Sequence, residues 1–265
     1  LRPVLAARNA DRVAALADDL GGLETAVADV TDPASVRALL KQGDTLVTTV
    51  GPFARFGTPA LDAAIGAGAN YVDSTGEPAW IRQVFGRHAE VEAAGSVALT
   101  AFGYDFVPGN LAAAIALDRA GDETVRVDVG YFFKGGFGAS GGTKASLVGA
   151  LLEPGHAWID GAIRQTSGAA GERAFRTSAG ERVGLGIGAS EHFAVPRIAP
   201  SVKDVGAYLG WFGSRTAPAR YGSAALGTPT RIPGIRPALQ AGMSRLVKGS
   251  TGGPDAGERA GSRSL

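Results

Sequence analysis

Residues 45–78, TLVTTVGPFARFGTPALDAAIGAGANYVDSTGEP, decide how the rest of the chain is read. The run Thr45–Val50 is apolar and β-branched, the composition of a short parallel strand covered on both faces. Gly51-Pro52-Phe53 breaks it. Thr58-Pro59 then has the form of a helix start, a capping threonine followed by a proline at the first helical position. Leu61, Ala64, Ile65 and Gly68 recur at helical spacing, and Gly66 and Gly68 mark the far end. Asn70–Asp73 is a second short strand, and Ser74-Thr75-Gly76-Glu77-Pro78 is the polar loop after it. The order is strand, loop, helix, strand, loop, which is one βαβ unit. In open α/β sheets ligands bind where loops leave the carboxyl ends of strands, and both loops lie at that edge.

The same rhythm runs in both directions. Upstream, Leu1–Ala7 reads as a strand and Arg8-Asn9-Ala10-Asp11 as its loop. Asn9 or Asp11 can cap a helix with Val13, Leu16, Ala17 and Leu20 as its stripe. Glu24–Ala28 is the next strand, Asp29-Val30-Thr31-Asp32 leaves its end, and Pro33 opens a helix closed by Gly43. Downstream, Ala79–Ala94 reads as one helix, with Ile81, Val84, Phe85, His88 and Val91 on one side and His88 structural. Ser96–Thr100 is a strand, and Asn110–Ala120 an alanine-rich helix. Such alternation predicts an α/β fold, a Rossmann-like doubly wound parallel sheet over residues 1–122. A dinucleotide fold begins with a strand and a G-x-G-x-x-G turn, and no such unit precedes the strand Leu1–Ala7 here. The first strand is therefore expected to be missing, the alternative being a protein that begins here without a dinucleotide site.

From Glu123 the rhythm stops. Thr124–Phe133, Arg173–Thr177, Arg182–Ile187 and Val205–Phe212 are strand candidates, with helices expected at 144–152 and 237–246. This predicts a second, α+β substrate domain over 123–248. Residues 249–265 lack periodicity and read as a flexible tail.

Composition excludes several classes. A net charge of +1 gives no electrostatic case for nucleic acid or an anionic membrane. No cysteine is present, which removes disulfides, thiolate zinc sites and a cysteine nucleophile, and suits a reducing, cytoplasmic setting. No apolar run reaches the ~18 residues of a spanning helix, and the chain opens on a strand rather than a signal peptide. With 40 glycines, glycine motifs arise cheaply by chance.

Arg8 follows a strand where an NAD-binding fold places a carboxylate against the ribose. An arginine there suits the 2′-phosphate of NADP, with NAD the alternative cofactor and a solvated loop arginine the plain one. Asn9 shares that loop. Asp29 and Val30 stand where a strand-end loop meets an adenine, and Thr49, Val50, Gly51, Pro52 and Phe53 leave backbone free near a nicotinamide. Gly184-Leu-Gly-Ile-Gly-Ala189 matches G-x-G-x-x-A, but no helical pattern is read after it. Gly138-Ala-Ser140-Gly-Gly142 matches G-x-S-x-G, with His156 and His192 downstream, so a serine hydrolase using Ser140 stays open. Glu191-His192 is read as lying on an extended segment, where neighbours face opposite ways. Neither Tyr-x-x-x-Lys nor H-E-x-x-H occurs, and no metal site is expected.

Three pieces together carry a resemblance: VGPFARFGTPALDAAIGAGANYVDSTGEP from Val50, AFGYDFVPGNLAA from Ala101, and SEHFAVPRIAPSVKDVGAYLGWFG from Ser190. They resemble the saccharopine dehydrogenase-like NAD(P)-dependent oxidoreductases, which include bacterial members described as trans-acting enoyl reductases. The resemblance implies a Rossmann domain followed by an α+β domain. It also implies that Gly51-Pro52-Phe53 and Thr75-Gly76-Glu77 border the nicotinamide, and that hydride passes to or from a carbon held over it. The aromatics Tyr131, Phe132, Phe133, Trp158, Tyr208, Trp211 and Phe212 suit a small, apolar or acyl-type substrate. Tyr71, Asp73, Glu77, Tyr104 and Asp105 are the candidate polar groups at the cleft, with Tyr104, Asp105 and Asp73 the catalytic candidates, and none has a sequence partner that marks it as proton donor. A regulator that binds NADP without turnover is the other class that fits, and a homo-oligomer is compatible with either.

Overall fold

The computed structural model describes residues 2–104, 106–134, 155–166, 171–210 and 263–264. The chain divides into two units, 1–75 with 86–100 and 76–85 with 101–265.

The first unit holds β1 (Val4–Ala7), α1 (Ala10–Asp19), β2 (Glu24–Val27), α2 (Pro33–Ala38), β3 (Thr45–Thr48), α3 (Phe53–Ala67) and β4 (Asn70–Asp73). The helix α4 (Pro78–Gly86) leads through the second unit to α5 (His88–Ala93) and β5 (Ala98–Leu99), back in the first. All strands of this unit pair in parallel, but in two groups: β1 with β2, and β3–β4–β5. The doubly wound order places a fold's first strand between its second and its fourth. That is the position between β1 and β3, where no strand stands among the described residues, so the order is that of a Rossmann-like sheet with its first place open.

Local chemistry explains the elements. Asn9, not Asp11, caps α1, its Oδ1 accepting the Arg12 N–H at 2.8 Å. Val13 and Ala17 are buried on that helix, whereas Leu16 and Leu20 of the expected stripe are exposed. Asp32 caps α2 by accepting the Ala34 N–H. The helix α3 starts at Phe53, five residues before the expected Thr58 start, and Pro59 lies inside it. Proline there removes one backbone bond, and the burial of Phe53 in the added first turns offsets that loss. At the far end Gly68 takes the left-handed conformation, φ 67°, that a helix stop requires and glycine tolerates best. The expected helix over 79–94 is two helices, and His88 opens the second with an exposed side chain rather than sitting in a buried stripe.

The second unit contains α4, α6 (Val107–Ala120), β6 (Arg126–Tyr131), β7 (Phe133–Lys134), β8 (Gly155–Ile159), β9 (Ala162–Thr166), β10 (Glu172–Thr177), β11 (Gly180–Gly186), α7 (Glu191–Ile198) and β12 (Asp204–Leu209). Residues 101–122, read from the sequence with the first domain, cluster here. The sheet order is β10-β11-β12-β8-β9, antiparallel throughout, with β6 added in parallel along β12. Alternation sets the core: Val205, Ala207 and Leu209 of β12 and Val129 and Tyr131 of β6 face inward against Ile81, Ala113 and Val195 of the helices. The hairpin β8–β9, not expected from the sequence, turns on Asp160-Gly161, both at positive φ, the two-residue turn such hairpins favour. Part of the expected tail is also ordered as β13 (Arg263–Ser264), which pairs antiparallel with β7. The helices expected at 144–152 and 237–246 lie outside the described residues. Among the described residues no helix is long and apolar enough to cross a membrane.

Candidate functional site

Parallel pairing fixes which loops meet. Because Ala7 stands opposite Val27, Arg8 emerges beside the loop after β2, close enough to Asp29 for their charges to interact. The Asp29 carboxyl is held below its ordinary range, chiefly because Oδ1 accepts both the N–H and the hydroxyl of Thr31, at 2.8 Å each, and then because of Arg8. Ser35 closes the same loop, receiving the Asp29 N–H and donating to the carbonyls of Asp29 and Asp32. Asn9 and Asp29 thus have structural tasks, one a cap and one a turn. Arg8 has neither: its side chain is exposed and forms no ion pair among the described residues. Val30 is half-buried in that turn.

In the other parallel group, Thr48 stands opposite Asp73 and Val72 opposite Leu99, so the ends of β3, β4 and β5 meet at one edge. After β3 the Thr48 hydroxyl accepts the Val50 N–H, and Gly51 turns back to the Thr49 carbonyl. A cis Gly51–Pro52 bond follows, Pro52 is the α3 cap, and Phe53 is buried, its ring 3.5 Å from where a Cβ on Gly51 would stand. Thr49, Val50 and Gly51 remain exposed. At the end of β4, Asp73 is 1% exposed and both of its oxygens are engaged. Oδ2 accepts from the Tyr71 hydroxyl at 2.9 Å and the Thr100 hydroxyl at 3.0 Å, and Oδ1 from the Thr75 N–H and the same Thr100 hydroxyl, both at 3.0 Å. Thr75 is buried, Gly76 and Glu77 half-buried.

Of the other proposed catalytic groups, Tyr104 is half exposed and stacks on Phe133 at 5.6 Å, and Asp105 lies outside the described residues. The second unit holds a further buried polar group that the sequence did not disclose. Tyr131 donates its hydroxyl to Oε1 of fully buried Glu191, and Asn110 donates to Ser190, which donates to Glu191. Gly109 makes this possible, since a Cβ there would collide with the Tyr131 hydroxyl. His156 and His192 grip the backbone of one residue from both sides: Ala189 donates its N–H to His192 Nδ1, and its carbonyl accepts from His156 Nε2. Burial holds both imidazoles neutral, His156 down at about 4 and His192 at about 3. The signal was the run Gly184–His192, buried residue by residue. It was misread because Glu191-His192 opens α7 rather than lying on an extended segment. For the same reason the G-x-G-x-x-A match does precede a helix, but it follows an antiparallel strand rather than opening a βαβ unit. Ser140, the proposed hydrolase nucleophile, lies outside the described residues.

Residues 1–99 match the family model of the saccharopine dehydrogenase NADP binding domain. The chain is 37% identical over 162 residues to a Mycobacterium tuberculosis (strain ATCC 25618 / H37Rv) protein named "Putative trans-acting enoyl reductase", a match covering 57% of this chain and 38% of that one. It is 34% identical over 115 residues to a Mycobacterium ulcerans (strain Agy99) protein named "Trans-acting enoyl reductase", covering 42% of this chain and 28% of that one. The chain therefore spans less than half the length of these relatives. Apo saccharopine dehydrogenase (L-Glu forming) from Saccharomyces cerevisiae aligns with a TM-score of 0.52 at 20% identity, over 78% of this chain and 50% of that one, which shows a shared fold. Over these 99 residues the chain is therefore similar in sequence to saccharopine dehydrogenase NADP binding domains.

Proposed function

We propose that the protein is an NADP-dependent oxidoreductase that moves a hydride to or from a small apolar or acyl-type substrate. The observation that carries this reading is Arg8: an exposed guanidinium without an ion pair among the described residues, at the carboxyl end of a parallel strand, in a segment that matches an NADP-binding domain. The donor set fits the cofactor. A planar guanidinium binds a phosphate through two parallel N–H bonds, so Arg8 would hold the 2′-phosphate. Asp29 and Val30 would line the adenine, and Thr49–Phe53 with Thr75–Glu77 would border the nicotinamide. The cofactor supplies the hydride when bound, while these loops bind and orient it and keep water away.

Function is divided along the chain, with residues 1–122 serving the cofactor and 123–248 the substrate. The acyl-type substrate rests on the relatives' names, and a cytoplasmic location rests on the lack of cysteine. The hydrolase alternative is weakened by the engagement of one nitrogen of each buried histidine with Ala189.

Arg8→Asp in the full-length protein is expected to weaken NADPH binding by about tenfold or more and leave NADH binding equal or better. Fluorescence titration with both cofactors reads this. Equal affinities for NADPH and NADH, unchanged by the substitution, would remove Arg8 from the site and with it the main support for NADP.

A further inference from the structure

We propose that Asp73 is a positioning residue, which fixes the loop Ser74–Glu77 for the nicotinamide half of the cofactor and takes no part in proton transfer. The inference rests on the functional reading above. Its basis is the way Asp73 is satisfied. Its donors include Tyr71 two residues back on the same face of β4, Thr100 at the end of the neighbouring strand, and the Thr75 N–H in the loop itself. A turn alone asks for less, since any Asx side chain can accept the N–H two residues on. Burying a carboxylate costs far more than burying an amide unless it is fully hydrogen-bonded. A carboxylate, however, is an acceptor at both oxygens, and so it can bind two hydroxyls and an amide N–H at once. It joins the end of β4, the end of β5 and the loop at one point. To act as an acid, Asp73 would have to carry a proton on an oxygen that now accepts one of these bonds.

The consequence is local. Thr75 is 1% exposed while Ser74 before it is exposed, so the loop leaves β4 along a set path. The adenosine side, at the ends of β1 and β2, shares none of these bonds. Loosening Asp73 should therefore weaken contacts to the nicotinamide half and spare those to the 2′-phosphate and adenine.

The experiment measures binding of NADPH and of 2′-phospho-ADP-ribose, which lacks the nicotinamide, by calorimetric titration of the full-length protein. Asp73→Ala is expected to weaken NADPH by about tenfold and Thr100→Val by a few fold, while both leave 2′-phospho-ADP-ribose within about twofold of the unsubstituted protein. Thr100→Ser, which keeps the hydroxyl, should restore NADPH binding. If Asp73→Ala does not fold, Thr100→Val against Thr100→Ser carries the test. Equal losses for both ligands would make Asp73 a general structural residue and overturn the proposal, as would unchanged NADPH binding in every variant. An unsubstituted protein that binds neither ligand would instead overturn the cofactor reading beneath it.

Discussion

The two units bury their sheets to very different extents. In the second, the inward residues of β12 and β6 lie under helices, and Leu185 of β11 has no exposed surface. In the first, Val4 of β1 and Val47 of β3 stand 52% and 66% exposed, although strands of a parallel sheet are ordinarily covered on both faces. The sequences of the two are about equally apolar, so hydrophobicity does not explain the contrast. Topology does. The second sheet is joined through β12, flanked along its whole length by β6. The first is divided between β1 and β3, which among the described residues pair with one neighbour each. A strand's side chains are covered by its neighbours as much as by the layer above, so a missing central strand exposes residues on both sides of the gap.

The largest expected effect lies where burial is complete. Leu185→Ala should destabilise the second unit by roughly 2–5 kcal/mol, the range for removing a large aliphatic side chain from a packed core. Chemical denaturation followed by tryptophan fluorescence reads it, since Trp80 and Trp158 fall within that unit. A loss under about 1 kcal/mol would mean that the second sheet is as loosely packed as the first.

Acid should separate the units next. His156 and His192, both in the second unit, are held by burial at about 4 and about 3, whereas an unfolded histidine titrates near 6.5. Between those values the unfolded chain binds the more protons, so stability is full above about pH 6.5 and falls as the pH drops. At about 1.4 kcal/mol per pH unit for each group, the pair removes roughly 4 kcal/mol by pH ~5. The histidine of the first unit, His88, is exposed. Tryptophan-detected stability should thus drop between pH 6.5 and 5, and hydrogen exchange in 2–75 should change less. The double substitution His156→Gln, His192→Asn keeps a donor and an acceptor for Ala189 and should flatten the dependence. A fall of the same size in that variant would assign it to other groups.

What was legible in the sequence follows the same division. The βαβ rhythm of residues 1–100 was readable because each element carries its own punctuation, such as Asn9, Pro33, Gly68 and the Gly51-Pro52 break. The start of α3 was not, because Thr58-Pro59 is a strong local signal and the burial of Phe53 that outweighs it is tertiary. In the second unit the Asp160-Gly161 turn was a readable hairpin signal that went unused. The Tyr131–Glu191 contact was beyond reading, since 60 residues separate the partners and Gly109 of a third element admits them. At the candidate site, Arg8 and the Gly51 and Gly76 loops were legible as strand ends. The role of Asp73 was not, because Thr100, the partner that ties it across the sheet, is 27 residues away.

The smallest effect is also the sharpest test of why the units differ. Val47→Thr keeps shape and β propensity and adds a hydroxyl, so on an exposed strand it should cost under about 0.5 kcal/mol. If the exposure of Val47 comes from a missing neighbour, that cost should depend on whether the neighbour is supplied. A chain extended at its N-terminus by a strand and a G-x-G-x-x-G turn would fill the place between β1 and β3. Val47 would then be covered, and its threonine variant would bury a hydroxyl with no certain partner, at about 1–3 kcal/mol. Denaturation of the four proteins, with and without the extension and with valine or threonine at 47, gives the coupling directly. A coupling near zero would detach the exposure of β3 from the gap beside it. A cost above about 1 kcal/mol in residues 1–265 alone would show that Val47 is already covered in solution, and the contrast between the two sheets would need another cause.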